Sequence, residues 1–301
     1  MQVSVFDPEY WKMFRSMILE QPLLFSFFVF ILGSCIGSFL NVCIYRIPNG
    51  MSLLYPPSHC PNCDHKIQWY ENIPMLSFLG LRGRCSGCHT PISPRYFYVE
   101  MLTGLLYTGL FLCVIFGRNE AFHLLPLYFM TAAIIICNAF TDVEYRVIPN
   151  SLNITLLLTG LANAAWKGWL FAGDGNTYQW SYIIVSLSSC AAVGGALWLF
   201  AMLTERLMHR ETFGMGDVKY MGAVAACFAD IPAILILMFA CVTAVSGVGI
   251  YRLFDKRRSG RLFAFGPFIS AGVLLWMFIG NAIENLWLKV FPDFPMIFFG
   301  F

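Results

Sequence analysis

LLFSFFVFILGSCIGSFLNVCI, from Leu23 to Ile44, is uncharged from end to end. A helix of about twenty such residues crosses roughly 30 Å of hydrocarbon. The run is too long for the apolar part of a cleavable signal peptide, and no small-residue cleavage site follows it, so it reads as a retained membrane helix. Seven more apolar stretches follow, near 96–116, 121–140, 151–171, 180–203, 217–229, 232–251 and 263–283. The stretch at 217–229 is short and is cut off by Asp230-Ile231-Pro232. The expected fold is therefore an all-α polytopic membrane protein with about eight transmembrane helices. Composition agrees: 58% of the 301 residues are hydrophobic and 12% charged, against about 25% charged in ordinary soluble domains. Mean hydropathy is +0.67. A net charge of +2 leaves no basis for a large nucleic-acid surface, so no nucleic-acid partner is expected.

Basic residues orient the chain, because cytoplasmic loops carry the excess of Lys and Arg. With eight spans, one side holds Arg46, Lys66, Arg82, Arg84, Arg95, Arg146, Arg206, Arg210, Lys219, Arg252, Lys256, Arg257, Arg258 and Arg261. The other side holds only Lys12, Arg15, Arg118, Lys167 and Lys289. The first set is expected in the cytoplasm, with both termini outside, provided that the short sixth stretch crosses. The run from Arg252 to Arg261 then serves as a topology signal and a contact for anionic lipid.

Residues 46–95 form the one long polar segment. It is rich in Pro, Cys and Gly, shows no helical periodicity, and is too small for a core of its own. Within it, Cys60-Pro61-Asn62-Cys63 and Cys85-Ser86-Gly87-Cys88 make a C-x2-C-x21-C-x2-C pattern. Two such turns can close a four-thiolate tetrahedron, so the segment reads as a small zinc-ribbon-like domain held by structural zinc. His59, His65 and His89 are near enough to substitute as ligands, and four reduced thiols without metal is the bland alternative. The other seven cysteines lie in or near apolar stretches and read as small buried hydrophobes. Three parts are expected: 1–45 with the first membrane helix, 46–95 as the cytoplasmic tetracysteine domain, and 96–301 as the membrane-embedded remainder.

Two aspartates sit at ends of apolar stretches on the same expected face. Asp142 follows Cys137-Asn138-Ala139-Phe140-Thr141, and Asp217 closes Gly214-Met215-Gly216-Asp217. Close carboxylates share a proton, because both cannot ionise cheaply. One is then a base for water and the other an acid for a carbonyl, which is enough to hydrolyse a peptide bond. Gly214 and Gly216 would give the backbone freedom and close substrate approach. Lys219 and Arg146 are near enough to perturb the pair or meet lipid phosphates. The bland alternatives are that Asp217 is a helix N-cap and that Asp142 pairs with Arg146 four residues on. Glu144 is a rival to Asp142, but i and i+2 do not share a helix face.

Four blocks in order resemble the bacterial type IV prepilin peptidases (prepilin leader peptidase and N-methyltransferase) of the GxGD aspartic peptidase type. They are Gly37 to Pro48; the two CxxC pairs with Trp69-Tyr70-Glu71-Asn72-Ile73-Pro74 and Leu81-Arg82-Gly83-Arg84, closing at Ile92 to Tyr96 and Glu100; Asp142 to Pro149; and Gly214 to Lys219. The resemblance implies an inner-membrane aspartic endopeptidase with Asp142 and Asp217 as catalytic residues and Cys60, Cys63, Cys85 and Cys88 as the tetracysteine set. It implies removal, on the cytoplasmic side, of a short basic leader from type IV prepilins and pseudopilins, just after a glycine. It also implies N-methylation of the new terminus from S-adenosylmethionine. Asn150 departs from the family, where an Asp commonly follows the Ile-Pro pair. No Rossmann-type glycine fingerprint is present, and Gly33 to Ser38 reads as a helix-packing stripe rather than a cofactor loop. Glu71 with Trp69-Tyr70 could line a cofactor or substrate site, or anchor the loop at headgroups. Three alternatives stay open: a peptidase without methylation, an ion-coupled transporter using the aspartates, and a scaffold in which they only cap helices.

Overall fold

The computed structural model describes residues 8–117, 122, 124–170, 180–209, 213–254 and 264–290. Among these the regular structure is helical: α1 (Pro8–Glu20), α2 (Pro22–Arg46), a 3-10 turn (Trp69–Asn72), α3 (Leu76–Gly80), α4 (Arg95–Gly117), α5 (Leu125–Tyr145), α6 (Asn150–Leu170), α7 (Ser181–Met208), α8 (Met215–Phe228), α9 (Asp230–Phe254) and α10 (Gly266–Val290). Among the described residues, each of the eight expected apolar stretches coincides with a helix. Five are long and apolar enough to cross a membrane: α2, α4, α5, α7 and the Asp230–Gly247 part of α9. Helix α8, at 14 residues, spans only about 21 Å. Helix α6 is diluted by Asn150, Asn153, Asn163 and Lys167, and α10 is apolar over Gly266–Gly280. Of the basic residues used for orientation, Arg118, Arg210, Lys256, Arg257, Arg258 and Arg261 lie outside the described residues.

The sequence reading missed three elements. Helix α1 buries Ile18 and exposes Met13 and Met17, so its apolar residues form a stripe rather than a run. The polar segment contains a 3-10 turn and the five-residue α3, both too short to impose a period.

The chain forms two compact units, residues 1–137 and 138–301. In the first, α2 and α4 lie antiparallel in direct backbone contact. A methyl added at Gly33 would stand 2.9 Å from the Gly104 Cα, and one at Gly37 would stand 2.7 Å from the Glu100 Cα. One turn on, Asn41 donates to the Tyr96 carbonyl at 3.1 Å. Lipid supplies little hydrophobic drive between helices, so close small-residue contact is what binds them. The Gly33–Ser38 stripe is thus a packing face. Glu100 accepts the Met75 N–H at 2.7 Å, which ties the polar segment to the membrane helix. Arg46 donates to the carbonyls of Ser52 (2.9 Å) and Pro56 (2.7 Å), turning the chain back as it leaves α2.

In the second unit α8 is the centre. Apart from Lys219, its residues from Val218 to Phe228 are buried, as expected of a helix apolar all round. It packs on α6, α7, α9 and α10. A methyl at Gly160 of α6 would stand 2.9 Å from the Ala226 carbonyl, and the Ser186 hydroxyl of α7 donates to that same oxygen at 2.7 Å. Helix α8 ends at Ala229, whose φ is 66°. Pro232 therefore sits in the first turn of α9, where its missing N–H costs no helix bond.

Helix contact at Gly160 is with backbone that cannot step aside. Gly160→Ala is expected to destabilise the protein by about 1–3 kcal/mol, read as a lower thermal midpoint in detergent. Gly195→Ala, with nothing within 4 Å of the added methyl, should leave the midpoint unchanged or raise it.

Candidate active site and cysteine centre

Asp142 lies in the last turn of α5, which runs on to Tyr145 rather than ending before the aspartate. Arg146, with φ 55°, then takes the left-handed turn that closes the helix. Asp142 is 7% exposed, whereas Glu144 is exposed, as the i, i+2 geometry requires. Asp142 Oδ2 accepts the backbone N–H of Gly266, the first residue of α10, at 2.8 Å. Sequence reasoning did not single out Gly266. It lies next to Pro267 at the start of an apolar stretch, a start signal for a helix, but nothing in the sequence says that an aspartate 124 residues away meets it.

Asp217 is the third residue of α8. The helix N-cap is Gly214, so Asp217 is not the N-cap residue. Asp217 is half-buried, and its Oδ1 is enclosed with no hydrogen-bond partner among the described residues. The Asp142 carboxylate is close enough for its charge to act on Asp217. Gly214 has φ −65° and ψ 130°, which any residue can adopt. Its value is room: a methyl there would stand 3.0 Å from Asp217 Oδ2. Gly216 lies against Ile148 in ordinary contact. Lys219 donates to Asn150 Oδ1 at 3.0 Å, so its ammonium is held at the start of α6. The Phe213 and Phe265 rings meet edge to face at 5.7 Å. The junctions before α6, α8 and α10 thus gather at one end of this unit.

Below the aspartates lies a buried polar tier. The Tyr220 hydroxyl meets Ser270 Oγ at 2.9 Å, and Ser270 donates to the Gly266 carbonyl at 2.8 Å. Asn138 donates to Asn153 Oδ1 at 3.3 Å. Tyr220 and Asn138 are fully buried.

In the first unit, the sulfurs of Cys60, Cys63, Cys85 and Cys88 lie within 4.8 Å of one another and could hold a metal ion. The Cys60–Cys88 and Cys63–Cys85 pairs are each 3.9 Å apart. Four thiolates around one zinc at 2.3 Å would be about 3.8 Å apart. The two knuckles repeat one design. The N–H of Cys60 bonds to His65 O and that of Cys85 to Thr90 O, both at 2.9 Å. Asp64 and His89 take the left-handed turn, with φ of 55° and 58°. Thr90 and Asn62 bonding holds the Cys88 thiol down to about 5. Cys63, despite a lowering bond from the His65 backbone, is pushed up to about 12 by lost solvation and its three thiol neighbours. The metal-free cluster thus favours one thiolate over four. His65 is not among the clustered ligands. Its Nε2 lies 3.1 Å from Glu71 Oε2 and 3.0 Å from Ser86 Oγ, so it links the knuckles. The Gln68 backbone N–H, then Ser86 and His65, hold the Glu71 carboxyl down to about 2. The stabilisation from this lowered acid is present above its ordinary value and lost only as the pH falls toward 2.

The model of the bacterial peptidase A24 N-terminal domain matches residues 31–114, and that of the type IV leader peptidase family matches residues 127–249. Relatives named prepilin leader peptidase/N-methyltransferase match along most of the chain. That of Aeromonas hydrophila is 30% identical over 90% of this chain and 96% of its own length, and that of Dichelobacter nodosus is 31% identical over 91% and 98%. The chain belongs to the type IV leader peptidase family. The Myxococcus xanthus (strain DK1622) relative is 37% identical over 79% of this chain and 66% of its own length. No solved structure matches this family member.

A cavity of about 300 Å³ opens beside the end of α2, lined by Ser38, Phe39, Arg46, Ser58 and Asn72 among others. Its guanidinium is committed to the Ser52 and Pro56 carbonyls, and its lining has no carboxylate to meet a ribose or an ammonium. The Gly33–Ser38 stripe is filled by α4. Neither place fits S-adenosylmethionine.

The cysteine geometry predicts about one metal ion per chain by elemental analysis of the purified protein. Cys63→Ala or Cys85→Ala should remove it and make residues 46–95 the first target of limited proteolysis.

Proposed function

We propose that this protein removes the basic leader of type IV prepilins and pseudopilins just after a glycine, and N-methylates the residue so exposed. Cleavage is assigned to Asp142 and Asp217, and the observation that carries it is their placement at facing helix ends, with Asp217 within reach of the Asp142 charge. The relatives' names support the substrate class and the methylation.

The pair holds one proton between its two carboxyls. The ionised carboxylate takes a proton from water as the water oxygen bonds to the scissile carbon. The protonated carboxyl gives its proton to the carbonyl oxygen. The gem-diol then collapses: the C–N bond breaks, and the leaving nitrogen takes the proton that the first carboxyl had gained. The second carboxyl recovers its proton from the diol, and the starting state returns. No covalent intermediate with the enzyme is needed. Gly214 leaves room beside the Asp217 carboxyl for the peptide.

The four cysteines are assigned to a structural zinc. A closed four-thiolate shell leaves no place for reacting water, so its role is to staple the segment. We assign residues 1–45 to an anchor, 46–95 to the tetracysteine domain and 96–301 to the peptidase domain. The charge pattern supports an inner-membrane protein whose aspartates face the cytoplasm. That is the depth at which a prepilin's polar leader meets its apolar helix, and placing acids at helix ends limits the cost of ionisable groups in hydrocarbon.

The test is cleavage of a type IV prepilin by the purified protein beside Asp142→Asn and Asp217→Asn. Each isosteric variant should fold and lose cleavage by at least about a hundredfold, the lower range for a lost general acid or base. The product mass should rise by one methylene unit when S-adenosylmethionine is supplied. Cleavage retained in both variants would make the aspartates structural, and no cleavage by the wild type would favour a transporter or scaffold.

A further inference from the structure

We propose that the backbone N–H of Gly266 holds Asp142 as the ionised member of the pair, so that Asp142 is the general base and Asp217 the proton donor. The inference rests on the peptidase reading above and divides the roles that reading leaves shared. Gly266 acts through Asp142 and is a positioning residue.

The two carboxyls are met differently. Asp142 Oδ2 receives a directed, buried N–H bond at 2.8 Å. The donor is the first residue of a 25-residue helix, where free N–H groups and the helix dipole both favour an anion. Bonds to a charged acceptor are the stronger kind. Asp217 Oδ1 is buried without a hydrogen-bond partner among the described residues. A charge there would be left unmet, whereas a protonated carboxyl in the same place loses much less by leaving water. Asp217 also sits in the first turn of its own helix, α8. Among the described residues it gains the diffuse dipole effect without a directed donor.

The surroundings of the donor hold it in place. A methyl at 266 would stand 2.7 Å from Asp142 Oδ2 and 3.2 Å from its Cγ, so any larger residue would push the carboxyl off the amide. The Ser270 hydroxyl donates to the Gly266 carbonyl, so its proton is committed, and the bond to Tyr220 must be donated by the tyrosine. Tyr220 is fully buried on α8, three residues beyond Asp217. One buried chain therefore sets the α10 amide against α5 and ties it to the helix that carries the second acid. Among the described residues, Arg146 at the end of its own helix acts on Asp142 with an attractive charge, and Asp217 and Tyr220 on α8 lie within range of the Asp142 charge. The attraction of Arg146 adds to the bias that the amide sets.

The experiment is a 13C NMR titration of the full-length protein in lipid nanodiscs with carboxyl-labelled aspartate. Asp142→Asn and Asp217→Asn identify the two signals by their loss. As the pH falls, the Asp217 signal should take up its proton first, and the Asp142 signal should stay that of a carboxylate to a pH at least one unit lower. Gly266→Ala should shrink that separation, and Ser270→Ala should shrink it less. If Asp142 protonates first, or the two titrate together in the wild type, the assignment is overturned. So is it if folded Gly266→Ala leaves the separation unchanged. If Gly266→Ala does not fold, the wild-type order and Ser270→Ala decide. Leader cleavage by the same wild-type sample keeps the two ideas apart: the expected order without cleavage would sink the peptidase reading and leave the charge assignment standing.

Discussion

A carboxyl taken out of water must meet a donor, share a proton or stay neutral. The second unit is organised around that constraint. Helix α8 carries one acid at its N-terminal end and is wrapped by four neighbours. Helix α5 brings the other acid to the same end, and α10 arrives there with its first free amide. Close packing is what lets these ends coincide. With Gly160 of α6 almost touching the α8 backbone and Ser186 of α7 bonded to it, the position of Asp217 follows from contacts more than a helical turn away.

The first unit solves a related problem for a segment that lacks a core. Residues 47–94 are held at three kinds of point. Arg46 gathers the carbonyls of Ser52 and Pro56, Glu100 holds the Met75 amide, and the repeated cysteine knuckles are joined through His65, Glu71 and Ser86. Each replaces apolar burial with a directed bond, which suits a stretch too small to bury much surface.

Much of this was legible in the sequence, because length and polarity are strong signals in a membrane protein. The run from Leu23 to Ile44 became α2 with its ends moved by one or two residues, and the Gly33–Ser38 stripe proved to be a packing face. The CxxC spacing led directly to a compact four-sulfur cluster, and GxGD led to an acid in a first helical turn. What was not legible depended on long-range contact. The sequence suggests backbone freedom and close approach at Gly214 and Gly216; Gly214 is ordinary in φ and uses no such freedom, and what it offers is space beside a carboxylate. Lys219 was placed near the pair by sequence alone, whereas its bond is to Asn150. Gly266 and the Tyr220–Ser270 contact could not be found from spacing, since three helices must pack before they meet. Helix α1 escaped because a one-sided apolar stripe interrupted by charge does not register as a run.

The burial of α8 has a consequence for any peptide that reaches Asp217. With α6, α7, α9 and α10 against its flanks, α8 leaves the exposed Gly214 beside the acid as the approach that the described residues offer. An intact helix is about 10 Å wide and keeps its carbonyls engaged with its own amides. Such a rod cannot lay one peptide bond between two carboxyls. The incoming chain has to be unwound at the point of attack, so selection falls partly on how cheaply a substrate gives up local helical order. A glycine at that point lowers this cost through its poor helical propensity. The enzyme would then read the conformational softness of one bond as well as the side chains around it.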